Sequence, residues 1–180
     1  MLIEASRSLL LVVDVQTGLA PVMSEPRRVY RGCSLLLRAA ARLEIPVIVS
    51  EQYPKGLGRT VGELLDIAPE GAVMEKLHFS CAHDDAIRAR VLSSGRGQVV
   101  IAGIESHVCV LQSALGFKAL GHDVVVVGDA CASRTEASFS AAMARLADNG
   151  VEIATVEMAI FEWLHRAGTP EFKELSALIK

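Results

Sequence analysis

Short apolar runs rich in β-branched residues alternate along this chain with longer stretches whose apolar residues recur every three or four positions. The runs at 8–14, 45–50, 72–76, 98–102, 123–128 and 151–155 predict strands, and the patterns over 26–43, 82–94, 107–120 and 134–149 predict helices between them. Strands that alternate with amphipathic helices form a parallel sheet wrapped by those helices, because parallel neighbours need a crossover long enough to hold a helix. Val124-Val125-Val126-Val127 has no polar alternation, which predicts a strand buried on both faces at the sheet centre.

Local signals place several helix ends. Ser133-Arg134-Thr135-Glu136 fits a capping box, Thr169-Pro170-Glu171 puts proline at a first helical position, and Gly121 and Gly150 stand just past helix ends. Residues 51–71 read as the one long irregular connection, a length that in a compact domain often carries function. The lone tryptophan, in Ile160-Phe161-Glu162-Trp163-Leu164, closes either the core or an oligomer interface.

Composition narrows the class. A chain of 180 residues with 51% hydrophobic content fits one domain over 1–180. A net charge of −3 gives no general basic field for nucleic acid, and Arg27-Arg28-Val29-Tyr30-Arg31 reads as a solvated helix face. There is no basic leader with an apolar segment and no run of about 18 apolar residues, so a cytoplasmic protein without membrane attachment is expected. Cys33, Cys81, Cys109 and Cys131 are widely spaced, and the five histidines lack any paired spacing. No zinc site, catalytic metal, cofactor or disulfide framework is therefore expected.

Three residues stand at carboxyl ends of predicted strands, where doubly wound folds bind ligands: Asp14, Lys76 and Cys109. Singly, each has an ordinary explanation as a turn-capping carboxylate, a surface lysine or a small buried hydrophobe. Their coincidence at one sheet edge puts an acid or base, a cation and a sulfur nucleophile together. With Ser106 as N-cap, Cys109 falls at the third helical position, where free N–H groups and the helix dipole favour a thiolate. Cys33 and Cys81 fall at or near helical patterns and Cys131 in a loop before a capped helix, without that advantage. Gln52, Tyr53 and the 54–60 loop are the expected pocket wall for a small-molecule substrate.

Four segments carry a resemblance: Leu11-Val12-Val13-Asp14-Val15-Gln16, Glu75-Lys76, Gly103-Ile104-Glu105-Ser106-His107-Val108-Cys109-Val110, and Asp129-Ala130-Cys131-Ala132-Ser133-Arg134. Through them the chain resembles the isochorismatase-like cysteine hydrolases. With Glu51-Gln52-Tyr53-Pro54-Lys55-Gly56-Leu57-Gly58 and Phe172-Lys173-Glu174-Leu175 it looks most like their isochorismatase domain-containing subgroup. The resemblance implies a doubly wound, three-layer α/β/α fold with a six-stranded, mainly parallel sheet, an Asp14-Lys76-Cys109 triad and, by analogy, a homo-oligomer. It further implies a cis peptide at Ile104–Glu105, with the Glu105 and Cys109 N–H groups forming an oxyanion hole. Metal-dependent relatives carry an Asp-x-His arrangement where this chain has Glu51-Gln52-Tyr53, a departure that speaks against a metal.

Members of that family that cleave vinyl ethers commonly lack the cysteine, so the resemblance, with Cys109 present, implies acyl chemistry: hydrolysis of a small amide or related C–N bond through a thioester. The alternatives are vinyl ether hydrolysis with Asp14 as acid and Cys109 a bystander, and a catalytically idle module that binds a metabolite or protein.

Overall fold

A computed structural model describes residues 1–179. Six strands, β1 (Ser8–Val13), β2 (Val47–Gln52), β3 (Val73–Lys76), β4 (Gln98–Ile104), β5 (Asp123–Ala132) and β6 (Glu152–Ala154), form one sheet in the order β3-β2-β1-β4-β5-β6. Every pairing is parallel. The helices are α1 (Pro26–Arg42), single turns α2 (Pro54–Leu57) and α3 (Gly62–Leu65), α4 (Asp85–Ser93), α5 (Leu111–Ala119), α6 (Glu136–Asp148), α7 (Val156–Leu164) and α8 (Pro170–Ile179).

Strand periodicity sorts the core into two layers. Leu10 and Val12 of β1 face α1, α7 and α8 through Leu36, Ala40, Ile160, Trp163 and Leu175. Leu9, Leu11 and Val13 face α4, α5 and α6 through Ile87, Val91, Phe117 and Leu146. Both faces being covered explains why β1 and β4 are apolar without alternation. Trp163 closes the first layer and is only 4% exposed; its Nε1 donates to Ser8 Oγ at 3.0 Å, at the amino end of β1.

β1 and β4 lie at the centre of the sheet, and strand order reverses there: β2 and β3 follow on one side, β5 and β6 on the other. Gly103 fits that seam because it has no side chain. It pairs with Val13 at φ +119°, and a β-carbon there would come within 2.1 Å of the Val13 carbonyl oxygen.

Several expectations are corrected. The valine strand β5 lies one in from the edge rather than at the centre, and is buried because α1 and α7 cover one face and α5 the other. It runs past residue 128 because its pairing with β4 bulges: Ile101 pairs with Val126, and Gly103 already with Cys131. Cys131 is thus a strand residue, not a loop residue. The cap of α6 is Thr135, whose hydroxyl accepts from the Ser138 N–H; Ser133 is buried with its hydroxyl against His107 Nδ1 at 2.9 Å. Residues 51–71 contain the end of β2 and two helical turns. Arg28 leaves the solvated face of α1, donates to the Cys131 carbonyl at 3.0 Å and stacks over Phe139. No helix among the described residues is long and apolar enough to cross a membrane.

Candidate active site

Four neighbouring strand ends supply the site. Asp14, directly after β1, adopts φ 52°, a left-handed conformation that short polar side chains tolerate, and its N–H donates to the Ser50 carbonyl at 3.1 Å. The turn leaves its carboxylate wholly buried. Oδ1 accepts from Ser50 Oγ at 2.6 Å and Oδ2 from Lys76 Nζ at 2.7 Å. Lys76 ends β3, pairs in register with Gln52 of β2, and donates a second bond to Gln52 Oε1 at 2.7 Å.

The Gln52 amide is engaged at both ends, since Nε2 donates to the Leu77 carbonyl at 2.8 Å. Gln16 buttresses it: Gln16 Oε1 accepts from the Gln52 N–H at 2.7 Å, and Nε2 donates to the Gln52 and Gly58 carbonyls. Glu51, also fully buried, holds the following loop through the Thr60 N–H and hydroxyl, at 2.7 and 2.8 Å, with Arg59 beside it.

From the other side of β1, β4 runs into a cis peptide at Ile104–Glu105 and then a wide helical turn, Ser106–Val110, that leads into α5. The Glu105 carbonyl accepts from the N–H groups of Val108 and Val110, which flank Cys109. Ser106 is not a cap; its hydroxyl is buried without a partner, and the turn begins at Glu105 with no side-chain cap. Glu105 pairs with Arg134 at 2.8 Å.

The electrostatics reverse the expected thiolate. Burial raises the Cys109 thiol well above its ordinary range, the Asp14 carboxylate raises it further, and Lys76 recovers only part. Asp14 is itself raised by burial, against the pull of Lys76 and of its bonds to Lys76, Ser50 and Cys109. Burial works against the Lys76 charge, yet Asp14 leaves that ammonium above its usual value. Burial and Asp14 thus favour the thiol form of Cys109 over a thiolate, beside the Asp14–Lys76 pair.

Access still favours Cys109, which is 6% exposed where Cys33, Cys81 and Cys131 have none. Iodoacetamide is expected to modify Cys109 first, even though burial pushes Cys81 up only to about 11. Its rate should climb with pH through the alkaline range without a plateau near neutrality. Peptide mass mapping over a pH series checks this, and a neutral plateau would establish a standing thiolate instead.

The structure brings Asp14, Lys76 and Cys109 together, with Glu105 at the cis peptide beside them. Gln52 lies within this network, whereas Tyr53 stands half exposed at its rim, at φ 39°. Tyr53, Pro54, Lys55, Leu77, His78 and Asp84 border a hollow of about 430 Å³ that reaches Glu75 and Lys76. A larger hollow of about 630 Å³ opens at the amino ends of the strands, beside Ile45, Pro46 and Ala72, away from these groups. Ser50 and Gln16 are the site residues that sequence reading missed. The signal for Ser50 was Ser50-Glu51-Gln52, three polar residues ending an apolar strand and all buried. Among the described residues no group of three His, Cys, Asp or Glu side chains is placed to hold a metal ion.

A family model described as the isochorismatase domain matches residues 8–158, from β1 into α7. The chain belongs to the isochorismatase family. Within it, the chain is 40% identical over 177 residues to the secreted isochorismatase effector Isc1 of Phytophthora sojae, covering 96% of this chain and 84% of that protein. It is also 40% identical to isochorismatase domain-containing protein 1 of Salmo salar, over 81% of this chain but only 51% of that protein, so it spans about half of that longer relative. The fold matches the structure of MAR1 ribonuclease from Caenorhabditis elegans with a TM-score of 0.93 at 33% identity, covering 99% and 92% of the two chains. This isochorismatase-family chain thus has the family's hydrolase fold: a six-stranded parallel sheet between helical layers.

Proposed function

We propose that the chain is a cysteine hydrolase of small amides or related C–N bonds. The observation that carries this reading is a slightly exposed thiol, Cys109, set against a buried carboxylate paired with Lys76 at 2.7 Å. Asp14 takes the thiol proton as the sulfur attacks the carbonyl, so charge moves from carboxylate to oxyanion without a free thiolate forming first. The N–H groups of Glu105 and Cys109 receive the oxyanion. As the tetrahedral adduct collapses, Asp14 returns the proton to the leaving amine and a thioester remains. Asp14 then activates a water that releases the acid and restores the thiol. Tyr53 walls the approach, and Gln52, with its amide committed, acts through Lys76.

The nematode relative's name points to RNA, but a net charge of −3 supplies no general attraction for a polyanion. A small neutral or singly charged substrate fits the buried site better. Four free thiols accord with a reducing compartment.

One observation favours a second reading: burial raises Asp14, as an acid that protonates a vinyl ether requires. The substrate screen that tests the first reading measures ammonia released from small amides and ureides, with Cys109→Ala as the blank. Release by both proteins equally would exclude it. On the substrate found, kcat/KM should fall in acid at a pH above the ordinary Asp value of about 4, because the base form is lost as pH drops through a raised pKa. It should then hold through mild alkali, because Lys76 keeps its charge past its usual value of about 10.4.

A further inference from the structure

A buried thiol that the hydrolytic chemistry leaves unused stands beside the nucleophile. Cys81 lies in residues 77–84, the turn-rich connection between β3 and α4, and has no solvent exposure. Three contacts fasten that connection to one stripe of the nucleophile's helix. The Cys81 N–H donates to Ser113 Oγ at 2.8 Å, Ser80 Oγ donates to the Gln112 carbonyl at 3.1 Å, and a β-carbon on Gly116 would come within 2.7 Å of the Ala82 β-carbon. Gln112 and Ser113 stand four and three residues before Gly116 and so share a stripe of α5, which begins two residues after Cys109. Across from it, Cys81 neighbours Ser50, the hydroxyl bonded to Asp14. Cys81 and Cys109 belong to the same apolar cluster, with Val13, Ile48 and Val110.

We propose that Cys81 and Cys109 form a modification site for hydroperoxides, in which oxidised Cys109 is resolved by Cys81 into a reversible disulfide. This rests on the reading of Cys109 as the reactive thiol. In the first step Asp14 takes the Cys109 proton and the sulfur attacks the peroxide. An S–O bond forms, the O–O bond breaks, and the departing oxygen recovers the proton and leaves as water or alcohol. The Cys81 sulfur then attacks the sulfenic sulfur: the S–S bond forms, the S–O bond breaks, and the hydroxyl leaves with the Cys81 proton as water. Two thiols lose two hydrogens and two electrons, and the peroxide is reduced. Lys76 draws Cys81 toward the thiolate that the second step needs, although burial keeps it at about 11.

A disulfide takes a separation of about 5.5–6 Å between α-carbons, and Cys81 lies on a turn-rich connection, not within a strand or helix ladder, so the link asks for a shift of that connection alone. Cys33 reaches β5 next to Cys131, its Sγ donating to the Ala130 carbonyl at 3.7 Å, but both thiols are fixed in α1 and β5 with no exposure, and serve as an internal control.

The test exposes the full chain to hydrogen peroxide, blocks remaining thiols and maps tryptic peptides without reductant. The expected product joins peptide 77–88 to peptide 97–118, two hydrogens lighter than their sum, and dithiothreitol reverses it. In Cys81→Ala, Cys109 should instead advance to sulfinic and sulfonic acids that dithiothreitol does not reverse. A dimedone-trapped Cys109 sulfenic acid that accumulates equally in both proteins, without the linked peptide, would overturn the proposal. So would a Cys33–Cys131 link as the main product. A Cys109 that gives neither a dimedone adduct nor the link overturns the proposal together with the reading of Cys109 as nucleophile, and only that result touches the hydrolase reading.

Discussion

Cys109→Ala is expected to lower amide hydrolysis by on the order of 10³- to 10⁶-fold, because an acyl-enzyme route needs the sulfur at every turnover. KM should change little by comparison, since the thiol contributes chemistry and only a small part of the contact surface. Asp14→Asn should be about as damaging, having lost the group that moves each proton. Vinyl ether hydrolysis divides the two variants differently: it needs a proton placed on carbon by Asp14 and no sulfur. Substantial turnover of isochorismate by Cys109→Ala, abolished in Asp14→Asn, would decide for that second reading. If ligand binding survives while neither substitution changes any hydrolysis, the chain is a binding module with the family's fold.

Lys76→Met is expected to destabilise the protein by about 3–5 kcal/mol near neutral pH, because it leaves a wholly buried carboxylate without its partner. The loss should depend on pH. Burial already raises Asp14 above its unfolded value, and without Lys76 the rise is larger. The stability such an acid contributes is fully present below its unfolded pKa and is lost as pH rises through its folded pKa. Urea midpoints for Lys76→Met should therefore fall between about pH 4 and neutrality, more steeply than those of the parent. Asp14→Asn/Lys76→Met should recover part of the loss by removing both charges. A single variant as stable as the parent at every pH would mean that the pair is solvated or unformed.

The layers were legible in the sequence because both of their signals are local. Unbroken, β-branched apolar runs as short as Leu9 to Val13 read as strands covered on both faces, and Pro170, Gly121 and Gly150 mark ends by their own backbone chemistry. Asp14, Lys76 and Cys109 were legible as strand ends, since one topology sends all carboxyl ends to one edge. The protonation of Cys109 was not legible. A helix start next to a lysine reads as thiolate-forming, but the outcome turns on burial and on the Asp14 carboxylate, which only the packed structure supplies. The β5 bulge was hidden likewise, because Gly128-Asp129-Ala130 looks like a turn until the register with β4 carries the strand on to Ala132. Ser133 illustrates a third case: its pattern fitted a cap, and tertiary contact with His107 claimed its hydroxyl first.

Trp163 separates two kinds of measurement. It is the only tryptophan, and its indole is bonded to Ser8, about 20 Å along β1 from Asp14 at the 3.3 Å per residue of a parallel strand. Its emission therefore reports whether α7 is seated on the amino end of the sheet, and is blind to what occupies the opposite edge. Fluorescence will follow unfolding of Lys76→Met faithfully, whereas a ligand titration read from the same signal will be silent even at saturation. An optical binding assay for this protein needs a second tryptophan introduced near the 53–60 loop.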